Sequence, residues 1–320
     1  MLLPRPPSQV LALTFVGFVL CGCAAQGQNP QQVAHREPGH RSLSAPVPYG
    51  ERLAVDRDFA WLAGSAYSWT PSAGDKTAPE PKDGCEAPET ILARRGWSRW
   101  PDFPSAELGA RIWARHLRIE VWKRPEGPEP AVVISFGGTV FNNRNDWLSN
   151  LRWFLPAHTD EYSTVVDDLA PAFRDEYRKR LASDDPAWQF LRSARLYTTG
   201  HSLGGGLAQQ FAYAWPVDAP HRVDKVFAYD PSPVTGFGRV QVELREKNRQ
   251  GLEIDRVYER GEVLALLRSL TSVFLAPTAE SARIEGIRYA LFWPSSPVGG
   301  HSISHLACAI EHAIVQPSTN

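Results

Sequence analysis

Gly200-His201-Ser202-Leu203-Gly204 sets a serine in the spacing G-x-S-x-G, between a strand-like run at 194–199 and apolar residues at helical spacing over 204–214. A serine on a tight strand-to-helix turn is lifted clear of the sheet. Its hydroxyl becomes a nucleophile when a base takes its proton, and the N–H after it, that of Leu203, points at the oxyanion that forms when a carbonyl is attacked. Side chains at Gly200 and Gly204 would crowd the neighbouring strand or the turn. The base must come from further along the chain, after a carboxylate that orients it. Gly299-Gly300-His301-Ser302-Ile303-Ser304-His305 supplies two histidines: His301, on a Gly-Gly loop that can reach the sheet edge, and His305, four residues on.

The elements that must position these groups alternate between strand and helix. Ala131-Val132-Val133-Ile134-Ser135-Phe136 is a continuous apolar run, as in a strand buried on both faces. Further strands are expected at 223–229 and 253–258, giving an α/β chain with a mostly parallel, doubly wound sheet and flanking helices. The spacing predicts a crossover helix over about 163–181, with Val166, Leu169, Phe173, Tyr177 and Leu181 on one side. It also predicts an N-terminal helix over 56–69 capped by Asp56, and a strand over 112–123 with Trp113, Leu117, Ile119 and Val121 inward. The apolar patch Trp153-Phe154-Leu155 suits either an entrance flap or the core.

The chain has 320 residues and a formal net charge of −1, which gives nucleic acid no electrostatic footing. His40, His116, His158, His221 and His312 are scattered singly and no Cys/His spacing resembles a zinc site, so neither metal nor cofactor is expected. Nothing calls for an obligate protein partner. Arg5 and the apolar stretch 10–20 read as a targeting segment too short to span a bilayer. Leu20-Cys21-Gly22-Cys23-Ala24 resembles a bacterial lipobox, which would make Cys23 the lipidated mature N-terminus; the alternative is an ordinary secretory signal cleaved near Ala24-Ala25. The expected organisation is a signal over 1–22, a tether over 23–48 and one domain over 49–320, in an exported, membrane-anchored lipoprotein of the bacterial cell envelope. Cys85 and Cys308 remain as a pair that an oxidising compartment would allow to bond.

Val132 to Thr139, then Asp146-Trp147, then Thr199-Gly200-His201-Ser202-Leu203-Gly204-Gly205 together resemble the class 3 (fungal-type) lipase family of the α/β-hydrolase superfamily, over roughly residues 130–310. That family shows a strand ending in F-R-G-T, a downstream D-W and a G-H-S-L-G-G elbow. Phe136-Gly137-Gly138-Thr139 lacks the arginine, so any fastening role of that side chain must be supplied elsewhere. The resemblance implies ester hydrolysis through an acyl-enzyme on a lipid or ester substrate. Thr139 and Leu203 would form the oxyanion hole and His301 would be the base, with His305 as the alternative. The family's acid follows a later strand as Asp before Val. Glu262 before Val263 fits that place, and Asp230, in Tyr229-Asp230-Pro231, is the rival. A polyester depolymerase, an acyltransferase and a silent envelope scaffold would use the same fold.

Overall fold

A computed structural model describes residues 32–36, 49–69, 84–127, 129–138, 160–233, 235–259, 281–291 and 299–315. Every described residue belongs to one compact unit within Gln31–Asn320. Cys23, Thr139, Asp146, Trp147, the patch at 153–155 and Glu262 lie outside the described residues.

The strands are β1 (Gln32–Arg36), β2 (Ser98–Arg99), β3 (Arg118–Arg124), β4 (Ala131–Gly137), β5 (Arg195–His201), β6 (Val223–Tyr229), β7 (Glu253–Glu259) and β8 (Arg283–Tyr289). They form one eight-stranded sheet in the order β1-β8-β7-β6-β5-β4-β3-β2. From β4 to β8 the strands are parallel; β3 against β4, β2 against β3 and β1 against β8 are antiparallel.

The helices are α1 (Tyr49–Ser65), α2 (Pro88–Arg94), α3 (Ala106–Trp113), α4 (Asp160–Thr164), α5 (Ala170–Leu181), α6 (Leu203–Ala214), α7 (Val242–Asn248) and α8 (Ile303–Val315). A strand's alternation splits its side chains between two cores. On one face Val132, Ile134, Leu196, Val226 and Ile254 pack with Phe173 of α5 and Leu207 and Phe211 of α6. On the other, Val133, Phe227, Val257 and Ile287 pack with Leu53 and Trp61 of α1, Ile91 of α2, and Leu306 and Ile310 of α8. Because strand order climbs steadily from β4 to β7, crossovers of one hand land on one side, as the described connections through α5, α6 and α7 do. The chain's two ends supply the opposite layer. A mostly parallel sheet, helices on both faces and a strand-turn-helix passage after β5 make this the α/β-hydrolase fold expected from the sequence.

Four expectations are corrected. Residues 106–113 form α3 rather than the start of a strand, because Ser105 caps the helix by accepting from Leu108 N–H (3.3 Å) and Leu108 and Ile112 bury one face. The helix ends with His116 at φ 60° and Leu117 N–H bonded to Ile112 O (3.0 Å), so β3 starts only at Arg118. Asp56 is no cap: α1 begins at Tyr49, and the Asp56 carboxylate, wholly buried, accepts from the Tyr289 hydroxyl (2.6 Å). The crossover helix is interrupted over Val165–Leu169 by a π-turn, which buries Val165 in place of Val166. Pro171, without an N–H, removes a bond from the regular ladder there. Within the stretch read as a tether, residues 32–36 form β1 on the edge of β8.

Cys85 and Cys308 are joined as a disulfide, their Cα atoms 5.9 Å apart, tying the segment before α2 to α8. Among the described residues no helix is long and apolar enough to cross a membrane.

Candidate active site

Ser202 sits between β5 and α6 at φ 58°, ψ −122°, a conformation that costs a non-glycine residue about 1–3 kcal/mol. Its surroundings hold it there. Ser202 N–H donates to Tyr229 O (3.0 Å), while Ser202 O accepts from Ser232 N–H (2.9 Å) and Gly205 N–H (3.1 Å). The elbow is packed onto β4 so closely that a Cβ at Gly204 would lie 2.2 Å from Phe136 O, and one at Gly200 would lie 2.3 Å from Gly204 O. Leu203 N–H opens α6 and has no acceptor within the helix, so it is available to an oxyanion.

His301 comes from a single 3₁₀ turn, Gly299–His301, that leads into α8. Its Nε2 lies 3.0 Å from Ser202 Oγ across 99 residues of chain, the reach required of a base acting on a nucleophile. Both side chains are buried, 5% exposed for Ser202 and 7% for His301, which strengthens the electrostatics between them. His305 follows one turn later in α8, its backbone N–H 3.4 Å from Ser302 Oγ.

Asp230 ends β6 on a turn at φ 39° and is wholly buried. Its N–H donates to Val257 O (2.7 Å), and its Oδ1 accepts from Glu259 N–H (3.3 Å). The chain therefore folds the carboxylate back over the ends of β6 and β7. A carboxylate oxygen of Asp230 and a ring nitrogen each of His201 and His301 lie within 4.8 Å of one another. Of the sequence candidates, the described residues thus bring together Ser202, Leu203, His301 and Asp230.

Sequence reasoning missed His201 and Tyr67. The His201 ring lies 4.7 Å from that of His301, and its Nδ1 is 2.7 Å from the Tyr67 hydroxyl. His201 had a signal, being the residue before the nucleophile. Tyr67, 134 residues away, had none. Two histidines and an aspartate are also a donor set that transition metals accept.

No family model matches the chain, and no curated protein matches its sequence. Among solved structures it is similar to the Lip2 lipase of Yarrowia lipolytica, at 14% identity over 77% of this chain and 82% of that one, TM-score 0.45. It is likewise similar to lipase II of Rhizopus niveus, at 15% identity over 76% and 79%, TM-score 0.39.

Proposed function

We propose that this chain is a serine hydrolase of carboxylic esters, acting on acylglycerols or related lipids. The observation that carries the reading is the Ser202 Oγ to His301 Nε2 contact of 3.0 Å on a strained strand-to-helix turn. Ser202 Oγ attacks the ester carbonyl as His301 takes its proton. Leu203 N–H, with Thr139, stabilises the tetrahedral oxyanion. His301 then gives the proton to the departing alkoxide, leaving an acyl-serine and a free alcohol. Water, deprotonated by His301, attacks that acyl-serine, releasing the acid and restoring Ser202.

The acid that orients His301 is Asp230, whose buried carboxylate is among the groups clustered at the histidine. Glu262, nominated by the family resemblance, follows β7, and Glu259 at the end of that strand donates its N–H to Asp230. The two carboxylates are compared directly through Asp230→Asn and Glu262→Gln. Export and anchoring through Cys23 complete the proposal, and metabolic labelling with an alkyne fatty acid, lost in Cys23→Ser, tests them.

The deciding experiment is fluorophosphonate labelling of the protein with Ser202→Ala as control, followed by a p-nitrophenyl ester chain-length series. Labelling confined to the wild type supports an activated serine, and the chain-length optimum separates lipase from short-chain esterase. Absence of labelling, with detergent present as well, would turn the reading toward a scaffold lipoprotein. An added acceptor alcohol, with product analysis, distinguishes hydrolysis from acyl transfer.

A further inference from the structure

The end of β4 has glycine where the resembled motif has arginine, and the turn after α1 packs closely against that glycine backbone. Gly137 pairs with Arg118 of β3, and a Cβ at Gly137 would lie 2.9 Å from both Arg118 Cβ and Ala66 O. The backbone next to it is just as crowded. A Cβ at Gly138 would lie 2.4 Å from the Tyr67 hydroxyl and 2.8 Å from His201 O. Tyr67 belongs to the 3₁₀ turn Ala66–Ser68 that follows α1, and its carbonyl accepts from Arg118 Nη1 (2.7 Å).

The Tyr67 hydroxyl therefore stands between two parts of the proposed machinery. It accepts from Gly138 N–H, the residue before Thr139, and it is 2.7 Å from Nδ1 of His201, the residue before Ser202. Burial raises its ionisation above the ordinary phenol range, so it keeps its proton at any working pH. With Gly138 N–H donating to the oxygen, the hydroxyl proton has two acceptors, His201 Nδ1 at 2.7 Å and His201 O at 3.4 Å; the shorter contact assigns it to Nδ1, which puts the imidazole proton on Nε2. That form matters because His201 lies within 4.8 Å of Asp230 and His301. A protonated His201 would compete with His301 for the Asp230 charge.

We infer that Tyr67, seated by Arg118, is a positioning residue: its hydroxyl locks the start of the oxyanion loop to the nucleophile elbow and fixes the ring tautomer of His201 beside the catalytic histidine. The inference rests on the serine-hydrolase reading above. Tyr67→Phe keeps the ring and removes the hydroxyl. Because small misplacements at a reacting centre carry penalties of up to about 100-fold, kcat and the labelling rate are expected to fall about 10- to 100-fold. KM should stay within about twofold and the melting temperature within about 3 °C. Arg118→Met should change activity in the same direction by less.

Imidazole ¹⁵N NMR of His201 supplies a readout that needs no turnover: the Nε2–H tautomer in the wild type, lost in Tyr67→Phe. A double-mutant cycle with His201→Asn should be strongly non-additive, since the two act through one hydrogen bond. A wild type that labels, with Tyr67→Phe labelling at the same rate, overturns the positioning role alone. Additive losses do the same. A wild type that never labels overturns the hydrolase reading and the positioning role with it, while the tautomer measurement still reports whether the Tyr67–His201 bond forms.

Discussion

Two groups of polar side chains are buried against this sheet, and they are built on opposite principles. One lies between α1 and the strands β6 to β8. Asp255, wholly buried, is bonded by Arg52 and sits 2.9 Å from Lys225 Nζ, and Arg52 also faces Asp56 and Glu285. The other lies at the ends of β5 and β6, where Asp230, equally buried, meets imidazoles and backbone amides. In the first, carboxylates are matched by a guanidinium and an ammonium, on regular helix and strand. In the second, the partners are imidazoles, which titrate near neutrality, and both Ser202 and Asp230 sit at positive φ. Burial of charge alone does not mark a reactive site. Burial combined with titratable partners and an enforced backbone does.

The contrast breaks most sharply at Ser202. Ser202→Ala should lower ester hydrolysis by about 10⁵- to 10⁶-fold with the melting temperature unchanged, because alanine adopts the same backbone and the hydroxyl carries the chemistry. Asp230→Asn comes next, with an expected loss of about 10⁴-fold in kcat, as when the orienting acid of a triad is neutralised. Glu262→Gln should lose less; steady-state kinetics giving the reverse ranking would move the acid's role to Glu262.

In the charge network the effect should fall on stability instead. Asp255→Asn leaves Arg52 and Lys225 facing each other without their shared carboxylate, and denaturant unfolding should read a loss of about 3–5 kcal/mol. The folded fraction should keep its specific activity. An activity loss beyond the unfolded fraction would mean that the two clusters are coupled.

The smallest effect is a pH dependence. Burial pushes the Asp56 carboxyl up to about 6, against the opposing pull of Arg52. The folded state thus holds this proton more tightly than the unfolded chain does. The resulting stabilisation is fully present below the ordinary aspartate range, near pH 4, and is lost as pH rises through about 6. Melting temperatures of wild type and Asp56→Asn, measured from pH 4 to 7, should show the wild type losing ground to the variant across that window. A constant difference would mean that Arg52 holds Asp56 ionised throughout.

Much of the fold was legible because parallel strands buried on both faces read as unbroken apolar runs, as β4 does, and because helix α6 follows a motif with only one geometry. Where burial and pattern diverge, the reading failed. Strand β8 carries Gly286 in its middle and buries Ile284, Ile287 and Tyr289, a spacing out of step with simple alternation. Helix α3 hid behind the alternating residues that follow it. Asp56 looked like a cap because nothing in the sequence says that Tyr289 will reach it across 233 residues. The site was legible in the same uneven way. Ser202 and His301 follow from motif and order, whereas the turn that folds Asp230 back, and the Tyr67 contact, exist only once distant segments pack.

The order in which the chain is made acquires a meaning from the way its second helical layer is assembled. The described crossovers between β4 and β7 cover one face, and the other is closed by α1 and α2, which precede the sheet's parallel strands, and by α8, which follows them. A nascent chain therefore emerges with its serine turn complete but with neither its histidine nor the cysteine that bonds Cys85 across 223 residues. One late segment of the chain thus does two jobs: α8 covers a face of the sheet, and the turn leading into it brings His301 to Ser202.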